Sequence, residues 1–489
     1  MKRIISLIFC AALIFSVSAC SANKENTNPS EAVTDTATQN EGILNLAYSK
    51  VDTLNPFTCT TSANLQILRL IYDGLFSIDK NYNPVPNLAV GGRVEDKTVT
   101  VNLGTFTFSD GTPVTVTDVK ASFEKAKASP AYAARLANFE SAGAYEGNIV
   151  IFEMTKSDPY ALACLDFPVI KNGDDTTDLA VGCGRYIPHV SGDEIYFSVN
   201  TAKQSFVPAI KTVKLLPVRD EGAIISSLEV GNTCFNYNDL SDGVYSRINA
   251  KTVEMGINNF VYLAFNSASE IFADKNIRQA VNLAVDRNKI VATAFQGHAR
   301  IAYTPFNPDW YQLVSKDLVV AKDVAKATEL IEESGVDIAS KEIVMVVNSE
   351  NQFKLETGEF LKEQLEAIGF NVKLQKLKAS EIVDALSKGE YDVYIGEAKL
   401  TPNMNLSALF LGGNASFGIS NISETSKRYS QLLSGNCEIM DFINTFNEDL
   451  PVIPLCYRNA AVSYTNSMQG TFACCDGDVF ADINTWSFK

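Results

Sequence analysis

The stretch KEIVMVVNSENQFKLETGEFLKEQLEAIGFNVKLQKLKASEIVDALSKGEYDVYIG, residues 341–396, decides the fold. Ile343 to Val347 is a short apolar run rich in β-branched residues, which reads as a buried strand. Residues 354–367 follow with Leu361 and Leu365 on a helical stripe that runs on to Ile368, and Gly369 stops the helix. Asn371 to Leu377 reads as a second strand, a short helix capped by Ser380 comes next, and Tyr391 to Ile395 is a third strand. Such β-α-β-α-β units build parallel sheets through right-handed crossovers. Open α/β sheets take ligands at the carboxyl ends of their strands.

Towards the amino terminus the pattern is more varied. Ile43 to Tyr48 alternates as a strand and is stopped by Leu54-Asn55-Pro56-Phe57. Asn64 to Phe76 places Leu65, Leu68, Ile71, Tyr72 and Leu75 at spacings of three and four, which predicts one long helix. Val99 to Phe108 reads as a strand, Ser109 to Pro113 as a turn, and Thr115 with Asp118 as a capping box opening a helix that runs to about Ala128.

The first twenty residues speak to compartment. Lys2 and Arg3 precede an apolar run from Ile4 to Phe15, too short for the roughly 30 Å hydrocarbon core, so a cleaved signal is expected rather than a span. The run ends in Val17-Ser18-Ala19-Cys20, similar to the lipobox of bacterial lipoproteins, which makes Cys20 the expected lipid-attachment site. Residues 21–42 are polar and poor in large apolar side chains, the composition of a flexible linker. The expected location is therefore extracytoplasmic, tethered to the membrane by lipid, and periplasmic in a Gram-negative host.

The net charge of −16, more negative once the two leading cations are removed, opposes nucleic acid and anionic headgroups. About 450 mature residues exceed what one core holds, so two or three lobes are expected. Eight of the ten cysteines lie beyond Cys20. Without a CxxC pair they fit buried free thiols and one or two disulfides equally well. No G-x-S-x-G elbow, H-E-x-x-H or P-loop occurs, and with two histidines in the chain no catalytic set is marked. His189 and His298 both read as surface residues, outside any spaced metal-ligand cluster.

Several segments, in order, resemble the family 5 extracellular solute-binding proteins of ABC transporters, the peptide, oligopeptide and nickel binders. They are Leu54-Asn55-Pro56, Ile71 to Leu75, Pro86 to Ala89, Phe108 to Pro113 with Asp118-Val119, and Gly182 to Tyr186. Tyr262 to Asn266, Ile277 to Ala280, Ala284 to Arg287 with Ile290, Gly389 to Val393 and Pro451 to Leu455 continue the series over some 400 residues. The resemblance implies a class II periplasmic-binding-protein fold: two hinged α/β lobes with an extra domain inserted in the first lobe. It places lobe I at 43–75, 181–260 and 456–489, the inserted domain at 76–180 and lobe II at 261–455. It implies a non-enzymatic monomer without a cofactor that captures a peptide or peptide-like solute and delivers it to ABC permease subunits. The alternatives are a lipoprotein that presents its ligand to a sensor, and a binder of a metal chelate such as nickel.

The departures from that family concern the ligand. Where its peptide binders continue their strand into Gly-Trp and then an Asp that pairs with the ligand ammonium, this chain has Gly396-Glu397-Ala398-Lys399-Leu400. Glu397 stands for the Trp and Leu400 for the Asp, so the usual ammonium anchor is missing. If the strand stays extended, Glu397 and Lys399 share a face, either to meet the two charges of a ligand or to pair with each other or with solvent. Asn403 and Asn405 are equally ligand contacts or turn formers. With Phe57, Thr60 and Asn64 after the first strand, the candidate ligand-binding positions are Phe57, Thr60, Asn64, Glu397, Lys399, Leu400, Asn403 and Asn405.

Overall fold

The computed structural model describes residues 42–489, apart from 175–177, 220, 267, 315, 317, 413–418 and 420–422. The signal, Cys20 and all but the last residue of the linker lie outside the described residues. One large sheet organises the chain. Its strands run, edge to edge, Asn371–Leu377, Glu342–Asn348, Val393–Lys399, Lys251–Phe265, Val452–Tyr464, Phe235–Asn238, Ile43–Ser49, Thr212–Val218, Glu194–Val199 and Tyr186–Ser191.

The sheet has two parallel halves. In one, Ile43–Ser49 pairs in parallel with Thr212–Val218 and Phe235–Asn238. In the other, Glu342–Asn348 pairs in parallel with Asn371–Leu377 and Val393–Lys399, the unit read from residues 341–396. Each half buries an apolar core against its helices. Two long antiparallel strands, Lys251–Phe265 and Val452–Tyr464, join the halves. Their outer ends belong to different lobes: Ala461 to Tyr464 pair with Phe235–Asn238, and Asn259 to Phe265 pair with Val393–Lys399. The register breaks between Gly256 and Phe260, where the strands pass from one lobe to the other. Broken pairing beside a glycine is what lets a sheet bend.

A separate antiparallel sheet, Ala89–Glu95, Thr98–Leu103, Ile149–Met154 and Phe139–Tyr145, lies within the segment expected as the insert. The helix Val116–Ala128 covers it, opened by the Thr115–Asp118 capping box. Phe123 packs edge-on against Phe139 and Phe152.

Two local readings need correction. The helix expected over Asn64 to Phe76 spans only Ser62–Leu68. After it the chain turns so tightly that a Cβ on Gly74 would lie 2.8 Å from the Asp166 backbone, and Leu70 and Ile71 give their carbonyls to Tyr186 and Gly184. The apolar spacing came from a buried turn. The helix Ala379–Lys388 is closed at its start by the Glu381 carboxylate on the Lys378 N–H at 2.8 Å rather than by Ser380.

Candidate functional site

At the register break the crossing strands bring charged side chains into the interior. Glu397 Oε1 accepts from Arg458 Nε at 2.9 Å and from Asn259 Nδ2 at 2.8 Å, while Oε2 meets Lys354 Nζ at 2.8 Å. Arg458 is a lone cation in a strand whose residues are all buried, and its Nη1 donates to the Asp239 carbonyl of the first lobe. Burial works to raise the Glu397 pKa, but the Lys354 and Arg458 charges outweigh it and lower it to about 2. Lys354 sits in the first turn of Gln352–Glu366, directly after the strand Glu342–Asn348, and Asp239 directly follows Phe235–Asn238. The cluster thus lies at the carboxyl ends of strands from both lobes. Asn351, which caps that helix, also donates to the Ser241 carbonyl of the facing loop at 3.2 Å.

A second cationic group adjoins it. The Arg300 guanidinium lies flat on Gly256, where a Cβ would stand 2.5 Å from its Cζ. Arg300 Nε donates to Asn459 Oδ1 at 3.1 Å, and Nη1 pairs with Asp309. Tyr82, Tyr457 and Asp476 face it. Tyr82 reaches it from the turn between Phe76–Ile78 and Pro84–Pro86. Its backbone is left-handed, φ +58°, a conformation that costs a bulky L-residue about 1 kcal/mol. Asp79 holds that turn by accepting from the Asn81 and Asn83 N–H groups. The turn docks on the second lobe: Asn81 donates to the Asp309 carbonyl at 3.0 Å and accepts from the Tyr311 N–H at 2.8 Å. Tyr160 packs edge-on against Trp310.

The structure disperses the eight expected positions. Glu397 and Lys399 do share one extended strand, but Glu397 pairs with Arg458 and Lys354, and Lys399 is exposed. Leu400 is buried in an apolar cluster. Asn403 is buried and donates to Asp158 Oδ2 at 2.6 Å, and Asn405 accepts from the Ser407 N–H. Asn64 is fully buried and brackets Ser49 through its N–H and its carbonyl, organising the loop after the first strand. Thr60 is exposed on that loop, its N–H on Asp52, and Phe57 is buried beneath it. His298 is not at the surface: it is buried against Tyr245, with Nδ1 2.8 Å from Glu254. A cavity of about 210 Å³ lies elsewhere, between Asp73, Asp166, Arg185 and Lys203. Its charges are already paired among themselves and with Arg69, Arg135 and Asp478, so it ties chain segments together.

A profile of bacterial extracellular solute-binding proteins, family 5, middle region, matches residues 83–416. The chain belongs to that family. Its members are non-enzymatic solute-binding proteins, here with the class II periplasmic-binding-protein fold. The chain is 23% identical to the oligopeptide-binding protein AppA of Bacillus subtilis over 423 residues, 77% of this chain and 76% of that one. Among solved structures, the unliganded open form of the periplasmic murein tripeptide-binding protein MppA superposes with a TM-score of 0.75 at 18% identity, covering 92% of this chain and 98% of the other. The ABC transporter substrate-binding protein CtaP of Listeria monocytogenes gives 0.72 at 20% identity, over 91% and 99%.

The sequence did hold a signal for one missed residue. Arg458 interrupts a run of buried strand, and a charge there requires a partner. Nothing local marks Arg300, Tyr82 or Lys354: Asp309 is near Arg300 in sequence, but Asn459 and Glu397, which meet Arg300 and Lys354, lie tens to hundreds of residues away.

Proposed function

We propose that the chain is the solute-capturing component of an ABC importer, closing its two lobes round a peptide or peptide-like solute and passing it to the permease. The observation that carries this reading is the charged cluster where the two crossing strands change lobe, at the carboxyl ends of strands from both halves. A hinge there converts ligand contacts into lobe closure. The relatives' own ligands, an oligopeptide for AppA and a murein tripeptide for MppA, agree with the solute class. In this reading Cys20 carries the lipid anchor. Glu397 acts as a positioning residue that holds Arg458 and Lys354 towards the cleft, while Phe57, Thr60, Lys399 and Asn405 flank it and Asn64, Leu400 and Asn403 support it.

Calorimetry on the mature protein with a library of di- to pentapeptides tests the solute class, together with peptide uptake by cells lacking the chain. Binding with loss of uptake in the deletion supports the proposal. No heat from any peptide together with unchanged uptake removes it.

A further inference from the structure

The segment Asn238-Asp239-Leu240-Ser241-Asp242-Gly243 ends the first-lobe strand Phe235–Asn238 and leads towards the crossing strand Lys251–Phe265. Its polar residues are turn formers. The Asn238, Asp239 and Asp242 side chains accept from the Leu240, Ser241 and Val244 N–H groups, and the Gly243 N–H closes on the Leu240 carbonyl. A loop of this composition ordinarily runs over the surface of its own lobe. Leu240 is instead 1% exposed, and the core that buries it is that of the second lobe, with Phe353, Leu361 and Val393. Its backbone is left-handed, φ +54°, a conformation that a bulky L-residue keeps only where its surroundings impose it.

The rest of the loop is gripped in the same way. Arg458 of the crossing strand donates to the Asp239 carbonyl, Asn351 Nδ2 donates to the Ser241 carbonyl at 3.2 Å, and the Tyr245 ring lies 3.9 Å from that of His298, centroid to centroid. Gly243 seats the Asn351 side chain: a Cβ there would stand 2.4 Å from Asn351 Cγ, and the φ of +75° also favours glycine. Towards its own lobe the loop is less well packed, because a cavity of about 150 Å³ lies between Asp242, Val244 and Tyr245 on one side and Gly222, Ile225 and Asn236 on the other. The loop therefore belongs to the first lobe by sequence and packs on the second.

We infer that residues 239–245 are a strap that couples the two lobes, so that seating Leu240 and the Ser241–Gly243 turn on the second lobe is part of lobe closure round the solute. Asn351 is its positioning residue. Nδ2 holds the strap while Oδ1 caps the helix Gln352–Glu366, whose first turn carries Lys354 of the charged cluster. The strap rests on the lobe-capture reading above, and it adds the element that sets how firmly the lobes close.

Asn351→Asp separates the two roles, since an aspartate caps a helix as well as an asparagine does but has no hydrogen to give the Ser241 carbonyl. In the mature chain without solute, amides of residues 239–245 should exchange hydrogen about tenfold faster than in wild type, while those of Gln352–Glu366 keep their rates. Small-angle scattering should give the variant a larger radius. Gly243→Ala pushes Asn351 from its seat and should have the same two effects. Both substitutions act on one contact, so the double variant should exchange no faster than the faster single one. A peptide that calorimetry finds bound to wild type should leave each variant about tenfold faster.

Should Gly243→Ala fail to fold, Asn351→Asp carries the test alone. Faster exchange in the helix with the strap unchanged would make Asn351 a helix cap only and overturn the strap, and so would a wild-type radius in the variants. Variants that loosen and widen as expected while no peptide binds would support the strap and remove the peptide reading. Peptides that leave wild type and variants at equal rates would overturn the strap and leave peptide capture standing.

Discussion

Glu397→Gln isolates the charge cluster at the lobe crossing. The substitution keeps the shape and one acceptor oxygen but leaves Arg458, 4% exposed, and Lys354, 18% exposed, without their shared counter-charge. Breaking a buried pair by removing one partner costs about 3–5 kcal/mol. The pKa gives a consistent size: lowered from 4.5 to about 2, the carboxyl contributes about 3 kcal/mol at neutral pH. Unfolding entropy of about 2 cal/mol/K per residue over about 450 residues turns 3–5 kcal/mol into a melting-temperature drop of about 3–5 °C.

Scanning calorimetry of wild type and variant at pH 7 reads that drop, and its pH dependence distinguishes lost charge from lost shape. A carboxyl with a depressed folded pKa contributes stability that is complete above its unfolded pKa and is lost as pH falls through the folded one, here between about 4.5 and about 2. At pH 3.5 the wild type should have lost roughly 40% of the contribution, so the deficit of the glutamine variant should shrink in proportion. A variant within 1 °C of wild type at pH 7 refutes the reasoning, as does a deficit equal at pH 7 and pH 3.5.

Cys20→Ser should move the protein from the detergent phase to the aqueous phase or leave it unprocessed, and unchanged partitioning refutes lipid attachment at that residue. Binding of a solute should raise the melting temperature by mass action and reduce the small-angle scattering radius, and an identical radius at saturation refutes lobe closure. None of the eight described cysteines is in a disulfide, and burial pushes the thiols of Cys59, Cys474 and Cys475 up to about 12. A thiol reagent at pH 8 should therefore modify the native protein slowly and all eight after denaturation without reductant. A shortfall would reveal a disulfide.

The parallel unit of the second lobe was legible because its order is local. Strand, helix and strand follow within a few tens of residues, each carries its own periodicity, and Gly369 and Gly389 sit in left-handed backbone where the helices end. The overlong helix at Asn64 to Phe76 failed for a related reason. Apolar residues three and four apart also arise where a tight turn is buried on every side, and only Gly74, pressed against Asp166, hinted at it.

The site was less legible because no segment contains it. Glu397 was found through a departure from a familiar pattern, which left it either to meet a ligand or to pair with Lys399 or solvent; the partners it has are Arg458, 61 residues on, and Lys354. The reason is topological: a strand that changes lobe needs a register break, and the break opens space that apolar side chains do not fill. Charged groups entering that space must neutralise one another. Glu397 is balanced twice, by Lys354 and Arg458, while Arg300 pairs with Asp309 and faces Asp476 and the Tyr82 hydroxyl. A substitution that restored an acid at position 400, Leu400→Asp, would place an unpaired carboxylate in an apolar cluster. It should destabilise the protein by several kcal/mol without conferring affinity for ammonium groups.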